Sequence, residues 1–365
     1  MSNVFDYLDW RGDLTFKQSA FNAVDNLIFS EMAYVDFEDI IPGIYKDGSI
    51  ALWEASRKFF KKNPMKELKK DIYLVRDSAL LLKKMSGCNR YKNLRLSNYI
   101  NKIEYEQEFQ FSALVISLEE DTSFIAYRGT DTSIIGWKED FNMSFMTPVP
   151  SQVKAVKYLE IIAEKEKGDI LAGGHSKGGN LAAYAAIKSK PEIKKQIIKI
   201  YNNDGPGFPP EVTETDEYKE TIEKIITYIP QNSVVGMLME HKEDYIVVKS
   251  KKPGIVQHDM LNWEVMGDKL LEVDDLAKSS KILDATLKSW TGKLDLKQRE
   301  EFINSLFSII DETGAKTIED LNRSRLKSAM SVFRTIAALE PDTRDMIATT
   351  LKLLFQSYNG KDKQE

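Results

Sequence analysis

Apolar side chains recur at helical spacing in SAFNAVDNLIFSEMAYV, residues 19–35, and that spacing predicts a helix. Residues 49–84 predict two further helices, broken at Asn63-Pro64, where proline removes an amide donor and restricts the residue before it. The period then changes. NYINKIEYEQ and FSALVISLEE alternate apolar and polar positions, whereas TSFIAYRGT is a continuous buried-type run. Three consecutive strands are therefore expected, the last two joined by a polar turn at Glu119-Glu120-Asp121. Helical patterns return over 134–146 and 151–166. GDILAGG predicts a short strand, 177–189 a helix, IIKIYNN a strand running into DGPGF, and IEKIITYI and EDYIVVKS two more strands. Strand and helix alternating at this rhythm predict a mainly parallel sheet with helices on both faces.

From about residue 276 only helical patterns remain. DLKQREEFINSLFSII opens with Asp295 and has Gln298 three positions on, an N-terminal capping arrangement. SRLKSAMSVFRTIAAL and PDTRDMIATTLKLLFQS predict two more helices, and the tail NGKDKQE is expected to fray. With no internal repeat and no low-complexity linker, residues 1–275 are expected to form the sheet domain with its N-terminal helical segment. Residues 276–365 are expected to form a helical extension packed on it as a cap.

Charge and composition narrow the classes. A formal net charge of −5 argues against a general nucleic-acid binder, which presents a basic face. One cysteine, Cys88, excludes an internal disulfide framework and a cysteine-rich zinc site, and three histidines argue against a multi-histidine metal centre. The first residues, MSNVFDYLDWRGDLTF, are acidic where a signal peptide is basic, and no uninterrupted apolar run reaches the roughly eighteen residues of a spanning helix. The cytoplasm is the expected compartment. The basic run RKFFKKNPMKELKK is read first as a solvated helix face, with contact to an anionic membrane surface as the minor alternative.

The chemistry concentrates in ILAGGHSKGGNLAAYAA, residues 170–186. Gly174-His175-Ser176-Lys177-Gly178 fits G-x-S-x-G, between an expected strand and an expected helix. A nucleophile on so tight a turn needs neighbours without bulk two residues to either side, which is why glycine stands there. The Lys177 amide then lies at the helix N-terminus, where an oxyanion forms. A phosphate-binding loop fails on register, because from Gly173 the lysine position is occupied by Gly179; the dinucleotide fingerprint would need glycine at His175 or Ser176. The competing reading is a polar residue in a glycine-rich corner.

AYRGTDTSIIGWKEDF together with GGHSKGGNLA resembles the class 3 lipase branch of the α/β-hydrolases. DYLDWRGDLTF, NNDGPGF, IPQNSVVGML and QHDMLNW are similar to a bacterial family of lipase-like proteins of unknown function, so the resemblance spans about residues 3–266. It implies an α/β-hydrolase fold with a mainly parallel central sheet flanked by helices. Carried over by position, Thr130 completes the oxyanion hole, Arg128 and Asp140 brace the strand end and its loop, Trp137 packs, and His258 is the base. His258 also follows a late strand, where this fold delivers its histidine. His175 is expected to be buried packing, and His241 is the weaker base candidate.

The acid is where the chain departs from the class 3 pattern. The strand ITYI runs into Pro230-Gln231-Asn232-Ser233, with no carboxylate at the matching place. Either Asn232 or Ser233 orients the imidazole, or the acid has moved to Asp204, which follows IIKIYNN and keeps the order Ser, Asp, His. Asp204 is equally suited to form the DGPGF turn, and Asp259 adjoins His258 but is expected to point elsewhere. The expected activity is a serine hydrolase cleaving a small acyl ester or lipid through an acyl-enzyme on Ser176, with no metal or organic cofactor. Phe208, Pro209-Pro210 and VVGMLM are candidates to line an acyl pocket, with core packing as the alternative. A catalytically silent scaffold that binds a ligand or protein partner is the rival from another class, and a peptidase is a third reading.

Overall fold

β4, β5, β6, β7 and β8 (Thr122–Tyr127, Asp169–His175, Ile197–Asn203, Ile225–Pro230, Tyr245–Val248) lie side by side and parallel. β1, β2 and β3 (Ile50–Ala51, Arg95–Glu104, Phe109–Ser117) extend the sheet from β4 as antiparallel neighbours. The order is β1 to β8 without inversion. The computed structural model describes residues 2–68, 73–118, 121–278, 280–281, 294–317 and 320. Helices Pro150–Lys165 and Lys177–Lys188 make the crossovers from β4 to β5 and from β5 to β6. The carboxyl ends of the parallel strands thus share one edge, the edge where ligands bind in open α/β sheets.

Both faces of the sheet are apolar because both are covered. Phe124 and Ala126 of β4 and Leu171 of β5 face a core with Leu27, Phe29 and Met32 of helix Ala23–Met32. The alternate residues Ile125, Tyr127 and Ala172 face a second core with Ala155, Leu159, Leu181 and Ala185 from the crossover helices. Two-sided burial also explains one departure from expectation: β3 is buried along nearly its whole length rather than alternating.

Other boundaries differ locally. Helix Ala23–Met32 is shorter than the apolar spacing suggested, since Asn22 caps it and pairs reciprocally with Asp25. Helix Val4–Arg11 was not expected, although Asn3 and Asp6 form the same capping box. β2 starts at Arg95, the helix from Ile134 ends at Asn142, and Ile222–Lys224 is a short 3-10 turn before β7. The break at Asn63-Pro64 separates helices Leu52–Lys62 and Met65–Leu68.

Helix Leu296–Asp311 starts at the Asp295–Gln298 capping box. It buries Phe302, Ile303, Leu306 and Phe307 against Ile134, with Trp137 and Phe141 beside them. The Ile134 amide donates to the Lys316 carbonyl at 2.9 Å, joining this helix to the loop after β4. The later helical patterns, 324–339 and 341–357, and the tail lie outside the described residues. Among the described residues, no helix is long and apolar enough to cross a membrane.

Candidate active site

Ser176 sits between β5 and helix Lys177–Lys188 with φ 56° and ψ −132°. A side-chain-bearing residue held there costs about 1–3 kcal/mol, so the surrounding structure must enforce it. Glycine permits the turn at two points. A Cβ on Gly174 would lie 2.4 Å from the Tyr127 carbonyl oxygen, and one on Gly178 would lie 2.2 Å from the same atom. The Ser176 amide donates to the Asn203 carbonyl at 2.9 Å, tying the elbow to the end of β6. The Asn203 side-chain amide in turn donates to the Gly174 carbonyl (3.0 Å) and to Ser30 Oγ (3.1 Å), and pairs with the Asn26 side chain (2.8 and 3.1 Å). These buried asparagines brace the turn, and sequence reasoning did not find them. Ser176 is 9% exposed, and its hydroxyl has no hydrogen-bond partner among the described residues.

The next residue along β6 carries the acid candidate. Asp204 is fully buried, with φ 53°. Its Oδ2 lies 2.7 Å from His258 Nδ1; its Oδ1 accepts from Ser233 Oγ at 2.5 Å and from the Gly236 amide at 3.2 Å. A carboxylate only accepts, so Nδ1 carries a proton, and in the neutral imidazole Nε2 presents its lone pair. The turn-forming role goes instead to Asn202, whose Oδ1 accepts from the Gly205 amide at 2.9 Å. Ser233 therefore contacts the acid rather than the imidazole, and the Asn232 amide donates to Gln257 Oε1 at 3.0 Å. Asp259 caps its own turn through the Leu261 amide (2.9 Å) and Asn262 (2.7 Å).

His258 ends the 3-10 segment Gly254–His258 beyond β8. Its carbonyl lies 2.7 Å from His175 Nε2; a carbonyl only accepts, so His175 is protonated there and its Nδ1 accepts from Tyr34 Oη at 3.0 Å. The two imidazole rings lie 4.5 Å apart at 39°. Burial, with His258 alongside, pushes the His175 imidazole well below its usual range, so it is neutral. His175 is thus buried but more than packing: it holds the loop that carries His258. Tyr34 was not foreseen, because its partner lies 141 residues away. His241 pairs with Glu243 at 2.8 Å in a separate cluster with Tyr218 and Thr227. Ser176 and His258 make no direct hydrogen bond with each other.

The end of β4 flanks the elbow closely. A Cβ on Gly129 would lie 2.4 Å from the His175 carbonyl oxygen and 3.3 Å from Ser176 Cβ, so the backbone entering Thr130 runs beside the serine. Thr130 Oγ1 donates to Asp140 Oδ1 at 2.8 Å. The Lys177 side chain is buried, with Nζ 2.9 Å from Glu139 Oε2 and 3.4 Å from Asp140 Oδ1. Arg128 reaches Asn101 (3.1 Å) and Asp131 (3.6 Å), a bracing role. Phe208 is a correction to the acyl-pocket reading: it is 2% exposed and packs in the core against Tyr184 and Tyr218. Met237 from VVGMLM likewise packs against Ile229, Val247 and Leu276.

The mainly parallel eight-stranded sheet flanked by helices, with a serine elbow after β5, is an α/β-hydrolase fold. The chain belongs to the Mbeg1-like family, whose model matches residues 85–308 and so spans Ser176, Asp204 and His258. Similar solved structures include an MDLA variant from Penicillium cyclopium, 10% identical over 70% of this chain and 87% of that one, with a TM-score of 0.39. The Rhizomucor miehei lipase propeptide complex is 14% identical over 57% of this chain and 68% of that one, with a TM-score of 0.37. M37 lipase is 19% identical over 58% of this chain and 68% of that one, with a TM-score of 0.33. Overlaps this loose carry no argument about chemistry. No curated protein matches the chain.

Proposed function

We propose that the protein is a serine hydrolase acting on carboxylic esters, a lipid or another small acyl ester. One observation carries the reading: His258 is bound through Nδ1 to the buried Asp204, which leaves Nε2 as a proton acceptor at the sheet edge that holds Ser176. In this mechanism His258 takes the Ser176 proton and Ser176 attacks the acyl carbonyl. The imidazolium, stabilised by Asp204, returns the proton to the leaving alcohol, and water releases the acid by the reverse path. The Lys177 and Thr130 amides hold the oxyanion. Ester rather than amide cleavage is favoured by the family resemblance around Arg128-Gly129-Thr130.

A fluorophosphonate probe tests this directly. Labelling is expected at Ser176, located by mass mapping, and absent from Ser176→Ala. The unformed Ser176–His258 hydrogen bond favours the rival, a silent scaffold that binds a ligand or partner, although such bonds are often long before substrate arrives. A folded protein left unlabelled at Ser176 would decide for the scaffold.

A further inference from the structure

Lysine is an expensive residue to bury directly after the nucleophile. Lys177 is 1% exposed and Glu139 0%. Desolvating the two ions costs several kcal/mol each, and an apolar pair of equal volume is commonly as stable or more so. Burial alone would depress the Lys177 ammonium, but Glu139 and Asp140 outweigh it, so the group is charged. The position of this charge is informative. Glu139 also accepts from the Gln110 amide of β3 at 3.1 Å and the Ser151 amide of helix Pro150–Lys165 at 2.8 Å. Asp140, one residue on, bridges Lys177 Nζ and the Thr130 hydroxyl. The chain Lys177–Asp140–Thr130 therefore joins the two residues whose amides are assigned to the oxyanion, and Glu139 fixes that chain to the sheet and the next helix.

We propose that the Lys177 ammonium, with Glu139 and Asp140, is a positioning group that sets the spacing and direction of the two oxyanion-hole amides. It contacts no substrate and acts through the backbone of Lys177 and Thr130. The inference rests on the serine-hydrolase reading. Hydrogen-bond donors to a developing oxyanion lose much of their effect when displaced, since they contribute through preorganisation.

The test uses the full chain with p-nitrophenyl butyrate as substrate and an alkyl boronic acid whose tetrahedral anion places an oxygen in the hole. Lys177→Met combined with Glu139→Gln removes the buried pair together, leaving Asp140 on the Thr130 hydroxyl and one of the two backbone amides that Glu139 accepts from facing an NH2. This variant is expected to lose about 30- to 100-fold in kcat, with KM within about twofold and boronate affinity falling in parallel. Should it fail to fold, as judged by near-UV circular dichroism, Asp140→Leu removes the bridge to Thr130, whose contacts both use Oδ1, and leaves the Lys177–Glu139 pair intact. It is expected to lose about five- to tenfold in kcat, again with boronate affinity and not KM. A folded variant with parental kcat, or with reduced kcat but unchanged boronate binding, overturns the inference. A parent that is neither labelled by fluorophosphonate nor able to turn over the ester sinks the hydrolase reading and this inference together. A labelled, active parent with undiminished variants sinks this inference alone.

Discussion

Replacing Asp204 by asparagine tests the assignment of the acid with a change of one atom. Asp204 Oδ1 receives two hydrogens, from Ser233 Oγ and the Gly236 amide. The serine hydroxyl can rotate to accept, but the amide of Gly236 cannot. The substituted side chain is therefore forced to keep its oxygen at the δ1 position and turn its NH2 toward His258. His258 Nδ1 must then accept, so the ring proton moves to Nε2, and the base arrives at Ser176 already protonated. In a Ser-His-Asp enzyme this tautomer error costs about 10,000-fold, which is about 5.5 kcal/mol of transition-state stabilisation. The fold should survive: asparagine tolerates the backbone at φ 53° well, and both Oδ1 hydrogen bonds remain. The assay is the second-order rate of fluorophosphonate labelling at Ser176, beside a urea melt. We expect labelling slower by about 1,000- to 10,000-fold and stability within about 1–2 kcal/mol of the parent. A folded Asp204→Asn protein labelled at the parental rate would refute the assignment of Asp204 and the tautomer argument with it.

Stability should respond to two other buried groups. Ser176→Gly should abolish labelling and raise stability by about 1 kcal/mol in urea, because glycine accepts φ 56° and ψ −132° without the strain a Cβ brings; an unchanged or lower midpoint would show that the elbow is unstrained. Burial, with Asp259 nearby, pushes the Glu31 carboxyl up to about 8 from a usual 4.5. The folded state keeps this proton after the unfolded chain has lost it, so its contribution is complete below about pH 4.5 and is lost as pH rises to about 8, at up to about 1.4 kcal/mol per unit. Glu31→Gln should therefore gain on the parent across that window and hold its lead above it; a stability difference flat from pH 4.5 to 8 contradicts the raised value.

The elbow was legible because its constraints are contiguous in sequence: Gly174 and Gly178 answer to the same carbonyl, on the neighbouring strand that the apolar runs already implied. The parallel pairing of β4, β5 and β6 was legible for a similar reason, since a helical pattern of crossover length separates each from the next, whereas no such pattern precedes β7 or β8. Asp204 was legible only as one of two readings. What decides its contacts is the arrival of His258, Ser233 and Gly236 from two separate loops, while Asn202 takes over the turn. The supporting polar residues were hidden more deeply. Asn26 lies in a helix that reads as an ordinary amphipathic element, yet its side chain meets Asn203, 177 residues away. No sequence pattern pairs Lys177 with Glu139, 38 residues away, and only their meeting makes either one buriable.

The fold divides control of the site unequally. Ser176 and Asp204 are fixed by rigid backbone: both have positive φ, both follow central strands, and the bond from the Ser176 amide to the Asn203 carbonyl locks one turn to the other. His258 instead arrives on a short 3-10 segment, where Asp204 holds its ring, His175 its carbonyl, and the Asn232 amide and Trp263 indole hold the adjacent Gln257. The separation of hydroxyl and imidazole is thus governed by the placement of one loop relative to a fixed edge. His175 suits that task because it is neutral, with its proton fixed on Nε2 by the His258 carbonyl, so it can grip the loop without adding charge beside a ring that must become an imidazolium. A working hydrolase must bring the His258 imidazole within hydrogen-bond reach of the Ser176 hydroxyl, whereas a silent scaffold would keep the two apart. The choice between the two readings therefore turns on the reactivity of Ser176, not on any further detail of the fold.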